Sequence, residues 1–413
     1  MLVYVVNKEG KALMPCNAVK ARILLKQGKA KVIKRTPFTI QLVYGSAGYK
    51  QEIVLGVDAG SKTIGLSAVT EKKELFSSEV ILRNDIVELL SVRNQNRHTR
   101  RNRKTRYRQP RFLNRVSTKK KGWLAPSILN KIDTHLKVVD KVHDILPISK
   151  IIVEVASFDI QKIKNPEIQG VEYQQGDQLG FWNVRQFVMH RDGHQCQGKK
   201  GCKNKILNVH HIESRKTGGN SPSDLVTLCK ECHALYHQGK LELNFQRGKS
   251  FRDATFMGIM RWSFYDKIKE KYSNVNLTYG YITKNIRIEN KLPKKHRMDA
   301  LCITGKPNIE KSDNKYLIKQ VRKHNRQIHK SKILKGGKRK LNQSPYLVFN
   351  FRLFDKVEYK RQECFIFGRR QRGCFDLRKL DGTKIHANAN VKELKLKEKR
   401  KTLIYEWIIN VTI

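Results

Sequence analysis

Between Cys196 and His237 four cysteines and four histidines fall within one short segment: Cys196, Cys202, His210-His211, Cys229-x-x-Cys232 and His233-x-x-x-His237. Cys196, Cys202, Cys229 and Cys232 offer four thiolates to a tetrahedral zinc, although the five residues between the first pair exceed the usual spacing of about two to four. The pattern predicts a structural Zn²⁺ that clamps two loops of a module too small to fold well on hydrophobic burial alone. Histidines four apart share a helix face, so His233 and His237 can bind one divalent ion. Adjacent histidines on an extended segment point to opposite sides, and only one of them can reach the same ion. The expectation is that His210, His233 and His237 hold a catalytic divalent metal, while His211, neutral near pH 7, deprotonates the attacking water.

Acidic residues flank this segment. Asp58 stands at the end of the buried-strand pattern Ile53–Val57, just before the Ala59-Gly60 turn, and Glu154 lies among the branched aliphatics of Lys150–Val155. Burial of such a carboxylate is costly unless a cation or a donor meets it. His296 and Asp299 are three apart on one helix face. If the strands are neighbours, Asp58, Glu154, Asp299 and His296 converge. Their hard oxygens suit Mg²⁺ or Mn²⁺, and two such ions roughly 4 Å apart activate water and stabilise the leaving 3′ oxygen of a phosphodiester.

The charge balance points to the same class of substrate. Lys and Arg number 85 against 36 Asp and Glu, a formal charge of +49, with a pI near 10.1. That excess goes far beyond what solubility needs and calls for a polyanion, of which nucleic acid is the obvious one. The run Arg93–Arg108 contains no acid. Arg93, Arg97, Arg101, Lys104 and Arg108 recur at helical spacing, with Arg100, Arg103 and Arg106 around them, so a helix here presents a cationic stripe for phosphates until Pro110. The apolar stretch Leu2–Val6 is too short for a signal peptide, and no run approaches the ~20 apolar residues of a membrane span. The expectation is an intracellular protein with no membrane partner, cytoplasmic and, in a prokaryote, associated with the nucleoid when bound to DNA. Its 8 cysteines are then thiols or metal ligands.

The elements that would position these groups alternate in type. Residues 1–50 predict a strand at Leu2–Val6, a helix near Val19–Gln27 closed by Gly28, and an alternating strand over Ala30–Val43. Strands follow at Ile53–Val57, Thr63–Val69 and Lys150–Val155. After the cysteine segment come a helix over Phe251–Tyr272, a strand over Val275–Tyr281 and a helix from His296. This is an α/β core. A basic region to Lys340 precedes Pro345–Ile413, which reads as an antiparallel β domain, a small barrel.

The segment Val209-His210-His211-Ile212 with Leu228-Cys229-x-x-Cys232-His233-x-x-x-His237 resembles the HNH endonucleases, which have a ββα-metal fold. In that family an asparagine usually precedes the Leu-Val-x-Leu-Cys run and orients the base. Asp224 stands at that position, with Asn220 nearby. An aspartate there can accept a hydrogen bond from His211 or raise its imidazole pKa.

The order strand-Asp, strand-Glu, His-x-x-Asp-Ala resembles a RuvC-type ribonuclease H fold split in three. An arginine-rich bridge helix follows the first piece, and the HNH module sits between the second and third. The whole arrangement is similar to IscB, a transposon-encoded family. Ala12-Leu13-Met14-Pro15, Arg100-Arg101-Asn102-Arg103-Lys104 and Thr278-Tyr279-Gly280 also match. Ala12, Ala59, the long Cys196–Cys202 loop and Asp224 depart from the family pattern.

The resemblance implies a multidomain α/β protein: an N-terminal α+β domain (1–50), RuvC pieces at 51–92, 123–175 and 246–305, a bridge helix at 93–122, an HNH domain at 176–245, and a basic segment with a β domain at 306–413. It implies an RNA-guided DNA endonuclease, monomeric in a ribonucleoprotein with a large structured guide RNA, cutting a duplex that carries a short adjacent motif. HNH would cut the guide-paired strand and RuvC the displaced one, with Mg²⁺ or Mn²⁺ at both sites. The bridge stripe would hold guide phosphates. The C-terminal domain would read the motif, with Arg369, Arg370 and Arg372 as candidates for base contact. The competing readings are a protein-only nuclease, such as a junction resolvase, and a binding regulator with decayed sites.

Overall fold

The computed structural model describes residues 2–46, 48–101, 124, 126–155, 180–181, 183–199, 201–212, 222–243, 252–322 and 345–408. Two compact units result, one from Met1–Ala156 with Ile259–Ile413 and one from Ser157–Gly258. Among the described residues no helix is long and apolar enough to cross a membrane.

The chain opens with β1 (Leu2–Val6), β2 (Ala12–Asn17), α1 (Ala18–Lys26), β3 (Ala30–Lys34) and β4 (Thr39–Leu42), in the sheet order β2-β1-β4-β3. Val3, Val5, Ile40 and Leu42 form its core, as the period of two along a strand dictates. Asn17 caps α1 by accepting from the Lys20 amide at 2.8 Å. The single strand expected over residues 30–43 is two antiparallel strands, because Pro37 has no N–H to give a ladder and the chain turns there.

β5 (Val54–Asp58), β6 (Thr63–Val69) and β7 (Glu74–Ile81) form an antiparallel meander, followed by α2 (Ile86–Arg101), α3 (Pro126–His143) and β8 (Lys150–Val155), which lies parallel to β5. Arg93 and Arg97 are exposed one turn apart on α2. Arg103, Lys104, Arg106, Arg108 and Pro110, the rest of the expected stripe, lie outside the described residues, as do Asn220 and most of the basic region that ends at Lys340.

The second unit contains α4 (Val184–Arg191), the antiparallel pair β9 (Leu207–His211) and β10 (Leu225–Cys229), and α5 (Lys230–His237).

α6 (Arg252–Lys271), which belongs to the first unit from Ile259 onward, leads to β11 (Val275–Tyr279), α7 (Gly280–Glu289), α8 (His296–Ile303) and β12 (Lys315–Gln320). The strand expected to reach Tyr281 stops at Tyr279. Gly280 opens α7, on which Ile282 and Ile286 stand one turn apart. The C-terminal strands are β13 (Lys356–Tyr359), β14 (Gln362–Arg370), β15 (Cys374–Arg378), β16 (Lys384–Asn390), β17 (Lys395–Glu398) and β18 (Leu403–Trp407).

The central sheet runs β11-β8-β5-β6-β7-β12-β18. β12 and β18 come from the segment 306–413 that the sequence groups with the C-terminal domain, yet they hydrogen-bond into this sheet. Their buried Tyr316, Ile318 and Ile404 supply the apolar alternation that a sheet face requires. The remaining strands, in the order β16-β15-β14-β13-β17, form an antiparallel sheet over a core of Val357, Ile366, Phe375 and Leu377. In place of the expected barrel, β16 and β17 are end strands that do not pair with each other among the described residues.

Candidate metal centres

In the second unit, β9 and β10 are bound in register, with His210 opposite Val226 and His211 opposite Leu225. α5 follows β10 at once, its first turn capped by Cys229, whose Sγ accepts from the Cys232 amide at 3.3 Å. The hairpin and the helix therefore bring together groups that are distant in sequence. The ring nitrogens of His210, His233 and His237 lie within 4.8 Å of one another. His237 Nε2 is 3.3 Å from His233 Nε2, and the His210 ring stands 4.8 and 5.2 Å from those of His233 and His237. His210 is buried, and its Nε2 has no hydrogen-bond partner among the described residues. Burial and then the two facing imidazoles hold its pKa down to about 4, so it presents a neutral nitrogen lone pair. An orphaned buried nitrogen among two other imidazoles fits a divalent metal.

The four thiols form a second cluster within 4.8 Å, Cys196, Cys229 and Cys232 buried and Cys202 half-buried. Backbone amides of Cys229 and Gly198 donate to Cys196 Sγ at 3.1 and 3.4 Å. Donors aimed at sulfur stabilise thiolate, and the geometry is consistent with Zn²⁺.

His211 follows His210 and therefore points to the opposite side of β9. Asp224 lies fully buried in a short 3₁₀ turn, immediately before the strand partner of His211. Arg191, at the end of α4, donates to the carbonyls of Pro222 and Leu225, both at 2.8 Å, and so fixes this turn from both sides.

In the first unit, α8 lies directly on β5 and β6. Gly56 and Gly65 make that possible: a Cβ on either would sit 2.1 Å from the Ala300 carbonyl oxygen or 1.9 Å from that of His296. The helix brings His296 Nδ1 to 2.6 Å from Asp58 Oδ2. This bond raises the His296 pKa against the opposing effect of burial. Glu154, on β8 beside β5, faces the same region.

Two arginines complete the cluster. Arg261 on α6, itself buried, reaches Glu154 Oε1 at 3.0 Å and Asp58 Oδ1 at 3.7 Å, and donates to the Ala59 carbonyl at 2.9 Å. Arg287 on α7 pairs with Asp299 Oδ1 at 2.8 Å. Burial, and then the charge of Asp58, push the pKa of Glu154 and of Asp299 upward, while Arg261 and Arg287 oppose the shift. Asp58, Glu154, His296 and Asp299 are thus electrostatically one group. Among the described residues they do not form a cluster as tight as that of the thiols or the imidazoles, and guanidinium groups stand beside the carboxylates. These residues could hold hard cations such as Mg²⁺, whose charge would relieve the like-charge repulsion.

Neither arginine figures among the expected site residues. A lone cation next to the buried Met260, Phe264 and Ile268 stripe of α6 was the available signal for Arg261, since a charge on an apolar face needs a partner. Arg287 lay on a helix the strand pattern hid. At the C-terminal sheet, Arg369 donates to the carbonyls of Tyr346 and Phe351, Arg370 to that of Ala387 and to Asn388, and Arg372 to Asn388.

Residues 195–239, which hold both compact clusters, match the HNH endonuclease family. The chain carries an HNH endonuclease domain. Residues 3–176 match the family described as RRXRR protein. No curated protein matches the chain. Among solved structures, Streptococcus thermophilus Cas9 in complex with the AGAA PAM is 14% identical with a TM-score of 0.36, over 51% of this chain and 30% of that one. The same protein in complex with the GGAA PAM is 15% identical with a TM-score of 0.33, over 53% and 31%. This chain thus spans about a third of the length of those it matches. The HNH domain supports a nuclease, and the metal dependence of such domains agrees with the imidazole cluster.

Proposed function

We propose that this protein is an RNA-guided DNA endonuclease that cuts both strands of a target duplex. The observation that carries the reading is the gathering of His210, His233 and His237 inside the HNH-matched segment. A second, carboxylate-built site in a chain of charge +49 extends it to two cuts. The order β8-β5-β6-β7 with α8 laid across it supports a RuvC-like, ribonuclease H-type core for that site.

At the HNH site His210, His233 and His237 would hold the divalent ion, which when bound neutralises charge on the scissile phosphate and the leaving 3′ oxygen. His211, on the other side of the strand, accepts the proton of the attacking water. The water oxygen forms the new P–O bond as the bond to the 3′ oxygen breaks. Asp224 orients His211 and stabilises the imidazolium that forms. At the second site Asp58, Glu154 and Asp299 would hold Mg²⁺ or Mn²⁺, which would supply charge neutralisation at the phosphate, and His296, held by Asp58, serves proton transfer. The cationic face of α2 lies along guide-RNA phosphates, base pairing supplies the sequence specificity, and the C-terminal sheet reads a short motif beside the target.

The test is to sequence RNA that co-purifies with the protein expressed beside its native flanking DNA, and then to assay cleavage. One structured species with a variable end is expected. His211→Ala should leave a nick only in the displaced strand and Asp58→Ala only in the guide-paired strand. Heterogeneous RNA, together with cutting that needs no RNA, would replace this reading by a protein-only nuclease.

A further inference from the structure

Away from both metal centres, a cavity of about 290 Å³ opens where β3, the Phe354–Lys356 segment and the Glu398–Tyr405 segment meet. Its lining carries Lys34, Arg35, Lys356, Lys399, Arg400 and Lys401 against a single carboxylate, Glu398. Several of these charges are already matched. Lys356 Nζ lies 2.8 Å from Glu363 Oε2 and 3.1 Å from Thr36 Oγ1, and the Thr36 hydroxyl donates to Glu398 at 3.0 Å.

Lys34 is different. Among the described residues its ammonium forms no ion pair and no hydrogen bond; its close partner is the face of the Tyr405 ring, 4.9 Å from the centroid. The charged groups around it are Lys141 and Lys401, which repel it, and Asp144 and Glu398, which attract it from beyond pairing distance. Asp144 is held by Lys141, and Glu398 by Thr36. Burial, with those two lysines, depresses the Lys34 pKa to about 8. Lys34 is half-buried, and a cation partly withdrawn from water without a counter-ion is costly; here it is retained in a cavity whose other charges are mostly of the same sign. The cavity also has apolar walls in Phe354, Leu403 and the Tyr405 ring, which a bare phosphate would not need. Its volume of about 290 Å³ lies just below the roughly 300–1,000 Å³ of ligand pockets, room for one nucleotide at most.

We propose that this cavity takes one nucleotide of bound RNA, its phosphate beside the Lys34 ammonium, its base against the apolar wall and its ribose 2′-hydroxyl donating to Glu398. The carboxylate decides the class of nucleic acid. It would repel a phosphate but accept from a hydroxyl, and DNA lacks that donor. The site is independent of either cut, so its failure leaves the nuclease reading to the Asp58 and His211 variants.

The experiment uses the full chain freed of nucleic acid. A single-stranded RNA oligonucleotide and its DNA counterpart are titrated across salt concentrations into the parent, Lys34→Met, Glu398→Gln and Lys31→Met, an exposed lysine on the same strand. Lys34→Met should weaken RNA binding about tenfold and lower the salt slope by about one. Lys31→Met should change affinity less than twofold, and Glu398→Gln should erase the preference for RNA over DNA. In the parent, amine labelling of Lys34 at pH 8, read by mass spectrometry, should be blocked by the RNA and not by the DNA. RNA binding by Lys34→Met with unchanged affinity and slope, or labelling that RNA does not block, overturns the pocket. Equal protection by DNA overturns the ribose assignment.

Discussion

The HNH centres and the carboxylate centre hold polar groups out of water in opposite ways. In the second unit the converging ligands are imidazoles and thiols, which can be neutral and can sit against one another without a counter-charge. In the first unit the converging groups are carboxylates, and each stands beside a cation: Arg261 for Asp58 and Glu154, Arg287 for Asp299. The physical difference is the cost of desolvating an anion, which is several kcal/mol per ion unless it is paired. A neutral cluster can wait for its metal with its nitrogens unpartnered, as His210 does. An anionic one cannot, and the fold supplies guanidinium groups that an incoming cation must share or displace.

Metal removal should separate the two most sharply. If the four thiols hold the proposed zinc, chelation, or Cys229→Ser, should abolish the cooperative unfolding transition of residues 157–258, measured by limited proteolysis and circular dichroism, because a module of this size would depend on such an ion. The transition of the sheet unit should persist, and loss of both would erase the contrast. Next in size is Arg261→Met, which leaves Glu154 without its cation and Asp58 with His296 alone and should cost about 3–5 kcal/mol in denaturant unfolding. Added Mg²⁺ should recover part of that loss in the variant. A variant as stable as its parent without metal would show that the arginine is not the counter-ion.

Proton uptake gives a third test. His135 is fully buried on α3 beside Phe264, and its Nδ1 is 2.7 Å from the Lys131 carbonyl. Burial lowers its pKa to about 4 from the usual 6.5. The unfolded chain therefore binds more protons in that window: the stability is fully present above about 6.5 and is lost as pH falls toward 4, by about 3 kcal/mol. Unfolding free energies at pH 7 and pH 5 should show the slope in the parent, and His135→Asn should flatten it. The smallest expected effect is Gly65→Ala. Its Cβ would lie 1.9 Å from the His296 carbonyl oxygen, so α8 must lift, at about 1–3 kcal/mol. Cutting that depends on Asp58 should fall while cutting that depends on His211 is unchanged.

Much of the architecture was legible in the chain itself. The runs that became β5, β6 and β8 are rich in aliphatic residues, and the end of α1 followed from Gly28. The histidine and cysteine sets were legible because their spacing obeys local periods: two residues along β9, four along α5, and a turn between Cys229 and Cys232. What was hidden lay in helices and edges. α7 was concealed behind Tyr281, a residue at home in strands. The outer strands β12 and β18 lie in a stretch whose composition reads as a separate β domain, and no periodicity tells a strand which sheet it will join.

Sequence alone determined which residues could do chemistry and, in the HNH segment, that they would meet, because ligands near one another in the chain need only secondary structure to bring them together. Only the tertiary structure decided how Asp58, Glu154 and Asp299 are neutralised. That depends on where α6, α7 and α8 cross the sheet, which Gly56 and Gly65 permit by their missing side chains but do not spell out. It also decided that Lys34 stands half-buried and, among the described residues, without an ion pair, since a lysine on β3 acquires that property only when two distant segments close over it.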